Sequence, residues 1–347
     1  MTIADVLSAV GTWGRREPIS RNGGWDVKKA TALVLGLLGV LGVPAAPAFA
    51  AEGATGFYLL GSKTSMAGYL PPPGTYLQDY NYYYSGSTDI ALDIGGLVLE
   101  GGVQADTYYN LVAPIWVAPG DVLGGHISFL MLVPAAWKKV SAGASLDITP
   151  LAVSVQGERT DEDTKFGDLV PGFNLGWHEG NWHWTVGSLV NVPVGFWEQG
   201  NFSNIGFNRW AVDVNGAVTW LNQKSGLEVS GAAGFTFNAE NPDTDYKTGT
   251  EFHFEYAAVQ NFSKHFGIGI NGYFYDQVTG DSGSGTNLGA FEGRAAAIGP
   301  VANLNFQLGK IPVSTSLKYF HEFDVQNRLE GDAGFFTLTM PLSVAGQ

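Results

Sequence analysis

The stretch WAVDVNGAVTW, residues 210–220, decides the fold class of this chain. Successive side chains of a β-strand point to opposite faces. One face of this stretch therefore carries Trp210, Val212, Val214, Val218 and Trp220, and the other carries Asp213, Asn215 and Thr219. With a rise of ~3.3 Å per residue and a tilt of ~40°, the two tryptophans lie ~25 Å apart along a membrane normal, which is the spacing of two aromatic girdles. The stretch predicts a transmembrane β-strand.

The same alternation recurs along most of the chain from residue 105 onward. Segments of about ten residues alternate between apolar and polar side chains and end in turns, which is typical of a transmembrane β-barrel. A soluble β-sandwich also alternates. The barrel is favoured because the bulky faces suit lipid and the polar faces are rich in glycine and small groups, as a narrow lumen requires. Two examples are Phe252, Phe254 and Tyr256 against Glu251, His253 and Glu255, and Phe266, Ile268, Ile270 and Phe274 against His265, Asn271, Tyr273 and Gln277.

Composition agrees with an all-β membrane protein and excludes several other classes. Only 14% of the 347 residues are charged, against ~25% in ordinary soluble proteins, which is too little to coat a soluble surface. A hydrophobic fraction of 45% excludes a disordered chain. The net charge of −14 excludes a nucleic-acid partner. Because the chain has no cysteine, disulfides, thiolate metal sites and cysteine catalysis are excluded too.

An export signal is predicted over residues 1–50. Lys28 and Lys29 precede an uncharged stretch at residues 30–42, and the small-residue site Ala48-Phe49-Ala50 follows, which together form a secretory signal peptide. The mature chain is therefore expected to begin at Ala51. Residues 1–26 contain acidic side chains and do not resemble the start of a signal peptide, so a translation start at Val27 is the alternative.

Turn residues divide the remaining chain into a predicted barrel at residues 104–347, with twelve antiparallel strands. The predicted strands are 104–118, 123–134, 143–157, 167–178, 181–194, 209–221, 225–238, 249–261, 265–277, 290–308, 311–322 and 334–343. Residues 75–85 also alternate, and fourteen strands would result if part of 53–61 pairs with them. Otherwise residues 51–103 form a hatch or line the lumen.

Turn lengths orient the barrel, because transmembrane barrels of this kind have short periplasmic turns and long external loops. Both chain ends then lie at the periplasmic side. The tight turns are 179–181, 222–225, 262–265 and 309–311, and the long loops are 195–208, 239–248, 278–289 and 323–333. A bulge is expected at Gly299-Pro300, since proline lacks a ladder donor, and it would turn Glu292 and Arg294 inward.

Two long motifs carry a family resemblance. Residues 246–255, YKTGTEFHFE, and residues 269–300, GINGYFYDQVTGDSGSGTNLGAFEGRAAAIGP, closely resemble the bacterial outer-membrane family of the meta-pathway of phenol degradation, and shorter matches at residues 70–74, 123–125 and 166–171 extend the resemblance. The resemblance implies an outer-membrane barrel associated with catabolism of aromatic compounds, which passes hydrophobic or aromatic substrates and is not an enzyme. The chain ends on Gln347 and so lacks the terminal aromatic residue common in outer-membrane proteins.

The polar inner face is the candidate functional site. The predicted pore-lining residues are Asp168, Asp213, Glu228, Glu251, His253, Glu255, Tyr273, Tyr275, Glu292, Arg294 and Lys318. Charges of both signs in a narrow lumen often form a ladder that holds a barrel rigid, and such ladders also set selectivity. The acidic majority disfavours anions. Tyr273, Tyr275 and the Tyr80–Tyr84 cluster offer flat apolar surfaces to uncharged rings.

These observations predict a passive outer-membrane channel for small hydrophobic or aromatic compounds, without a cofactor or metal. Two alternatives stay open: a lipid hydrolase that uses His126 and Ser128, two apart on one strand face, and a structural or adhesive barrel with a plugged lumen. Expected partners are the lipid bilayer, lipopolysaccharide, the barrel-assembly machinery and small hydrophobic or aromatic solutes. The acidic run Glu158–Asp163 is expected to be an external loop, linked to lipopolysaccharide by divalent ions.

Overall fold

A computed structural model describes residues 51–344 except 90–91, 95, 100–101, 149–152, 287–288 and 291. The predicted signal peptide, residues 1–50, lies outside the described residues. Among those that are described, no helix is long and apolar enough to cross a membrane.

The described chain is all-β. Its strands are β1 (Gly74–Thr88), β2 (Leu92–Ile94), β3 (Leu97–Leu99), β4 (Val103–Val117), β5 (His126–Ile148), β6 (Val153–Phe166), β7 (Val170–Glu179), β8 (Trp182–Asn191), β9 (Ala211–Asn222), β10 (Leu227–Asn238), β11 (Glu251–Asn261), β12 (Phe266–Gln277), β13 (Arg294–Leu308), β14 (Ile311–Gln326) and β15 (Glu330–Val344). The strands β2 and β3 form a separate hairpin, and the others form one sheet.

The sheet closes into a barrel of twelve antiparallel strands. β1 pairs with β15 on one side, from Gly74↔Val344 to Ser87↔Glu330, and with β4 on the other. β4 pairs with β5, β5 with β7, and β7 to β15 follow in chain order. Among the described strands, this closed ring of twelve leaves no open sheet edge, which a membrane barrel requires because unpaired backbone groups are costly in lipid. The prediction of a twelve-stranded transmembrane barrel is confirmed.

In the N-terminal part of the barrel, the segments that form the strands differ from the predicted ones. The alternating residues 75–85 lie in β1, so the barrel begins at Gly74 and not at residue 104. The predicted strand 143–157 is wrong, because β5 continues to Ile148 and β6 begins a new strand at Val153. The expected external loop at Glu158–Asp163 is wrong too, since these residues lie within β6.

β5 is long because it pairs with two strands in succession. Its first part pairs with β7, from His126↔Gly176 to Leu132↔Val170, and its second part pairs with β6, from Ala135↔Phe166 to Ile148↔Val153. β6 and β7 therefore lie one after the other along the same side of β5, and residues 167–169 separate them. The loop of residues 192–210 covers the free side of β6, where Asp163 accepts hydrogen bonds from Asn201 and Ser203.

The predicted orientation fits the connections. The turns after β7, β9, β11 and β13 are tight, and Gly74 and Val344 lie at the same rim as these turns. We assign this rim to the periplasm and the opposite rim, with loops 192–210, 239–250 and 278–293, to the exterior. The predicted long loop 323–333 is wrong, because β14 and β15 extend until only residues 327–329 connect them.

The outer face carries the bulky apolar side chains. On β9, Val214 is 53% exposed and its neighbour Asn215 is 7% exposed, so the predicted faces of this strand are confirmed. Tryptophans gather at the periplasmic rim, where Trp182 lies opposite Trp220 and the rings of Trp177 and Trp184 stack 6.2 Å apart. Trp210 lies at the other end of β9, as two aromatic girdles require.

The expected bulge at Gly299-Pro300 is absent from β13, which is wholly described. Its pairing with β12 keeps one register from Arg294 to Leu304. The side-chain amide of Asn271 donates to the carbonyl oxygen atoms of Gly299 at 3.0 Å and Tyr319 at 3.3 Å, and so supplies donors where proline has none. A register shift occurs instead between Arg294 and Ala296.

Candidate functional site in the barrel lumen

The barrel lumen contains residues 51–73, the described residues that precede β1. Residues 51–73, called the lumen segment below, begin at the external rim with a short 3₁₀ turn at Glu52–Ala54 and end at Gly74 on the periplasmic rim. Along this path the segment contacts inward-facing side chains of β9 to β14. The lumen is therefore partly filled by the protein's own N-terminal part.

At the external rim, Glu52 fastens the lumen segment to two loops. Its carboxylate lies 3.2 Å from Nη1 of Arg209, and it accepts hydrogen bonds from Asn241 at 2.9 Å and from Thr244 at 2.8 Å. The side chains of Glu52 and Arg209 are 5% and 2% exposed. A buried ion pair of this kind is strongly destabilised when one partner is lost, because the other charge stays buried.

In the middle of the lumen, Glu255 and Lys318 hold the backbone of residues 61–63. The Glu255 carboxylate accepts the N–H groups of Gly61 at 3.0 Å and Lys63 at 2.6 Å. The Lys318 ammonium donates to the carbonyl oxygen atoms of Gly61 at 2.9 Å and Ser62 at 3.1 Å. Gly61 has a φ of 85°, and a Cβ there would lie 2.7 Å from the ring of Phe320. Only glycine fits this position without a shift.

Nearer the periplasm, β10 and β9 hold the segment in the same way. Glu228 accepts a hydrogen bond from the Ser65 hydroxyl at 3.0 Å and from the N–H of Met66 at 2.6 Å. Thr219 accepts the N–H of Gly68 at 3.0 Å. A Cβ on Gly68 would lie 2.5 Å from a backbone carbonyl oxygen, that of His183. The segment therefore lies directly against the barrel wall.

A buried histidine and aspartate face the segment from β11 and β9. Nε2 of His253 lies 2.8 Å from Oδ2 of Asp213, which also accepts the Thr236 hydroxyl at 2.9 Å. The ring of Tyr58 stacks on the imidazole with centroids 3.7 Å apart. Through the stack on Tyr58, the buried pair of His253 and Asp213 helps to hold the lumen segment against the wall.

The opposite side of the lumen is open and mostly apolar. A cavity of about 1600 Å³ remains beside the lumen segment. Its wall on β1, β4, β5, β7 and β8 consists largely of tyrosine and aliphatic side chains, and the rings of Tyr82 and Tyr109 lie 6.4 Å apart. The aliphatic members of this wall are Leu111, Ala113, Ile115, Leu130, Leu132, Val170 and Leu189.

The periplasmic mouth is narrowed by Tyr69 and two histidines. The Nδ1 atoms of His178 and His183 lie 2.7 Å apart, so one imidazole donates a hydrogen bond to the other. The ring of Tyr69 lies 5.3 Å from the first imidazole and 5.1 Å from the second, measured between centroids. This contact holds the lower end of the lumen segment before the chain enters β1.

Comparison with known proteins assigns the barrel to a family. The family model described as "Putative MetA-pathway of phenol degradation" matches residues 82–338. The chain belongs to this family. The match covers β2 to β14, the second half of β1 from residue 82, and most of β15, so the family resemblance inferred from the sequence is confirmed. The lumen segment lies outside the matched residues. Among curated proteins, none matches the sequence.

Solved structures resemble this family member at the level of the fold. An outer membrane channel from Pseudomonas putida F1 is 16% identical with a TM-score of 0.58, and the match covers 80% of this chain and 97% of that one. A FadL homologue from Pseudomonas aeruginosa is 9% identical with a TM-score of 0.40, covering 85% and 98% of the two chains. The CymD monoaromatic hydrocarbon channel is 10% identical with a TM-score of 0.36, covering 78% and 89%. The two lower scores support no conclusion about this chain.

Nine of the eleven residues predicted to line the pore of this family member face the lumen and are buried there. They are Asp168, Asp213, Glu228, Glu251, His253, Glu255, Tyr273, Tyr275 and Lys318. Tyr273 and Tyr275 donate their hydroxyls to Glu322 and Glu251, each at 2.8 Å, so they belong to the polar wall. Of the Tyr80–Tyr84 cluster, Tyr80, Tyr82 and Tyr84 line the cavity, whereas Tyr83 points outward and is 47% exposed.

Two predicted residues do not lie in the lumen. Glu292 is exposed in the loop before β13, and Arg294 lies on the outer face beside Asp276, with Nε 3.1 Å from Oδ1. Their inward placement depended on the bulge at Gly299-Pro300, which does not form. The ion pair with Asp276 compensates Arg294 at the external end of the strand.

The proposed pair of a hydrolase, His126 and Ser128, shares the inner face of β5, but the two side chains bind backbone atoms. Nδ1 of His126 lies 2.9 Å from the carbonyl oxygen of Gly120, and the Ser128 hydroxyl donates to the carbonyl oxygen of Asn174 at 3.4 Å. Neither contact activates a nucleophile. Within the described part of the chain, no group of three or more histidine and carboxylate side chains is arranged to hold a metal ion.

Sequence reasoning missed the residues that fasten the lumen segment. Arg209, Asn241 and Thr244 are far in sequence from residues 51–73, and none lies in a motif. One usable signal was the composition of residues 53–68, which are rich in glycine, serine and threonine and do not alternate. Such a stretch suits a narrow lumen better than a lipid-facing strand.

Proposed function

We propose that the protein is an outer-membrane channel through which small hydrophobic or aromatic compounds diffuse passively along the cavity beside the lumen segment. The observation that carries the proposal is the division of the lumen. The lumen segment binds the charged side of the lumen at Glu228, Glu255 and Lys318, and the opposite wall of the remaining cavity, on β1, β4, β5, β7 and β8, consists largely of tyrosine and aliphatic side chains. Ligand sites with few polar groups among apolar walls suit uncharged apolar solutes.

The chemistry of the cavity supports uncharged rings over ions. Tyr80, Tyr82 and Tyr109 present flat apolar faces, which stack favourably on aromatic solutes. The net charge of −14 and the acidic majority in the lumen disfavour anions. A cation would have to leave water for a mostly apolar wall, which is costly.

A structural barrel with a plugged lumen is the second candidate, and the lumen segment favours it. With the segment in place, a solute has only the cavity beside it. The channel proposal requires that this cavity connects the two rims, either as it stands or after a displacement of the segment. Transport measurements separate the two functions.

We place the protein in the outer membrane of a Gram-negative cell, after removal of residues 1–50. The barrel wall exposes a continuous band of apolar side chains, which suits bilayer lipid, and the external strands β5 and β6 would reach the lipopolysaccharide layer. Insertion would require the barrel-assembly machinery. The contacts of His126 and Ser128 give hydrolysis no support, so we propose no enzymatic activity.

Filling the cavity tests the proposal. Leu111 lines the cavity, and its neighbour Val112 faces lipid on the same strand. We expect Leu111→Trp to slow the uptake of radiolabelled toluene by intact cells several-fold, because the indole occupies the path, and Val112→Trp to leave uptake unchanged. Both variants must run faster on gels unheated than boiled, as closed barrels do. Equal uptake by the wild type, Leu111→Trp and cells without the protein would support the plugged barrel instead.

A further inference from the structure

The first residue after the predicted cleavage site lies against a buried carboxylate. The backbone nitrogen of Ala51 donates to Oδ2 of Asp281 at 3.0 Å. The same carboxylate accepts the N–H of Gly249 at 2.8 Å, the Gln277 amide at 2.6 Å and the Tyr246 hydroxyl. Ala51 is 2% exposed and Asp281 is 3% exposed. Asp281 lies in the loop between β12 and β13, at the external rim.

Among the described residues, the groups that donate to the Asp281 carboxylate are neutral, and no cationic side chain pairs with it. None of the ion pairs between side chains in the described residues includes Asp281. Burial raises the pKa of the Asp281 carboxyl, although hydrogen bonds from Tyr246, Gly249, Gln277 and Ala51 act in the opposite direction. A buried carboxylate is costly unless a positive charge lies close to it.

Cleavage between Ala50 and Ala51 would supply that charge. Hydrolysis adds the hydroxyl of water to the Ala50 carbonyl carbon and a hydrogen to the Ala51 nitrogen, and the released amine takes up a further proton at neutral pH. The pKa of an α-amino group is about 8, so most of it is protonated at pH 7. The atom that donates as an amide would then be an ammonium group.

We propose that removal of the signal peptide creates a buried ion pair between the α-ammonium of Ala51 and the carboxylate of Asp281, and that this pair fixes the head of the lumen segment to the external loops. The next residue, Glu52, forms the reverse pair with Arg209. Two adjacent residues thus fasten the segment with a cation and an anion to different loops. The inference is independent of what the channel passes.

One additional residue before Ala51 would move the α-ammonium group away from Asp281. Consecutive Cα atoms are about 3.8 Å apart, so an additional residue before Ala51 moves the ammonium out of contact with Asp281. It also returns the Ala51 nitrogen to a neutral amide. Processing at this bond, and not merely nearby, is what the pair requires.

Reactivity of the N-terminal amine tests the proposal in the purified mature protein. Mass spectrometry should first give Ala51 as the first residue, and another first residue would overturn the proposal. An unpaired α-amine, with a pKa of about 8 against about 10.4 for lysine, reacts first with an acetylating N-hydroxysuccinimide ester near neutral pH. We expect the folded protein to show the reverse order, with Ala51 acetylated at least about tenfold more slowly than the exposed lysines Lys224, Lys264 and Lys310.

Variants separate the ion pair from general burial. Asp281→Asn should make the Ala51 amine reactive in the folded barrel, whereas Asp245→Asn, an exposed aspartate in the neighbouring loop, should not. If Asp281→Asn does not fold, a glycine inserted before Ala51 gives the same test without changing the barrel. A wild-type N-terminus that reacts before the lysines, or an inserted glycine that stays fully protected, would overturn the proposal.

Discussion

At the residue scale, the buried carboxylates of the lumen have two different tasks. Glu228 and Glu255 accept hydrogen bonds from the lumen segment. Asp213 and Glu251 accept them from neighbouring barrel strands, as from Thr236 and Tyr275. The charges therefore do not form one ladder across the wall. Some hold the wall together, and others hold the chain inside it.

A substitution on β9 tests which side chains of this strand face the lipid. Val214 lies midway between Trp210 and Trp220 on the outer face. We expect Val214→Arg to destabilise the barrel by ~2–4 kcal/mol, because a charge then lies near the bilayer midplane. Folding titrations in lipid vesicles measure this. Gln78→Arg, at a polar position that lines the cavity, is the control and should cost much less. Equal tolerance of the two would show that the register of β9 is wrong.

Residue facing could be predicted where it depends on local alternation alone. Val214 and Asn215 needed only the two-residue period of their own strand. Glu292 and Arg294 could not be placed in this way, because their facing depended on a bulge at Pro300. The Asn271 side chain on the neighbouring strand makes that bulge unnecessary. The absence of the bulge depends on a contact between two strands. The alternation of a single strand gives no information about such a contact.

At the element scale, the inner face of β11 joins the wall to the lumen segment. Changing Glu251, His253 and Glu255 together to glutamine would replace the charge-assisted bonds to residues 61–63 by weaker neutral bonds and remove the stack on Tyr58. We expect a larger single-channel conductance in planar bilayers, because the segment is held less firmly. The barrel wall should still close.

The outer face of the same strand provides the control. Phe252→Leu, Phe254→Leu and Tyr256→Phe together change only lipid-facing side chains and should leave conductance unchanged. Mobility on unheated gels must show that both triple variants are folded. A folded inner-face variant with wild-type conductance would mean that this face is only a scaffold.

The elements that sequence reasoning misplaced lie outside the bilayer or inside the lumen. Alternation marks a strand that has lipid on one face and the lumen on the other. Both faces of the outer part of β6 are polar, because Asp161 and Asp163 bind the loop of residues 192–210 while Glu158 and Glu162 are exposed. The charged run at residues 158–163 therefore lacks the apolar face that marks a transmembrane strand. The lumen segment has no such period, because every side of it contacts protein or the cavity.

At the scale of the whole molecule, closure of the barrel predicts its behaviour in the cell and in detergent. We expect the protein to fractionate with the outer membrane and to migrate faster on gels before heating than after it, because a closed sheet resists unfolding by detergent. Cell fractionation followed by paired heated and unheated samples measures both. Recovery from the soluble periplasm, with one mobility, would contradict a membrane barrel.

The path of the lumen segment also constrains the order of events during biogenesis. The segment is attached to β1 at the periplasmic rim, yet its first residues lie at the external rim. The beginning of the segment must therefore travel the height of the barrel, or the wall must close around the segment when β1 meets β15. Either route requires that the N-terminal part of the lumen segment is unfolded while it enters the barrel. The proposed removal of residues 1–50 would then have to come before the segment is threaded and before the last strands join.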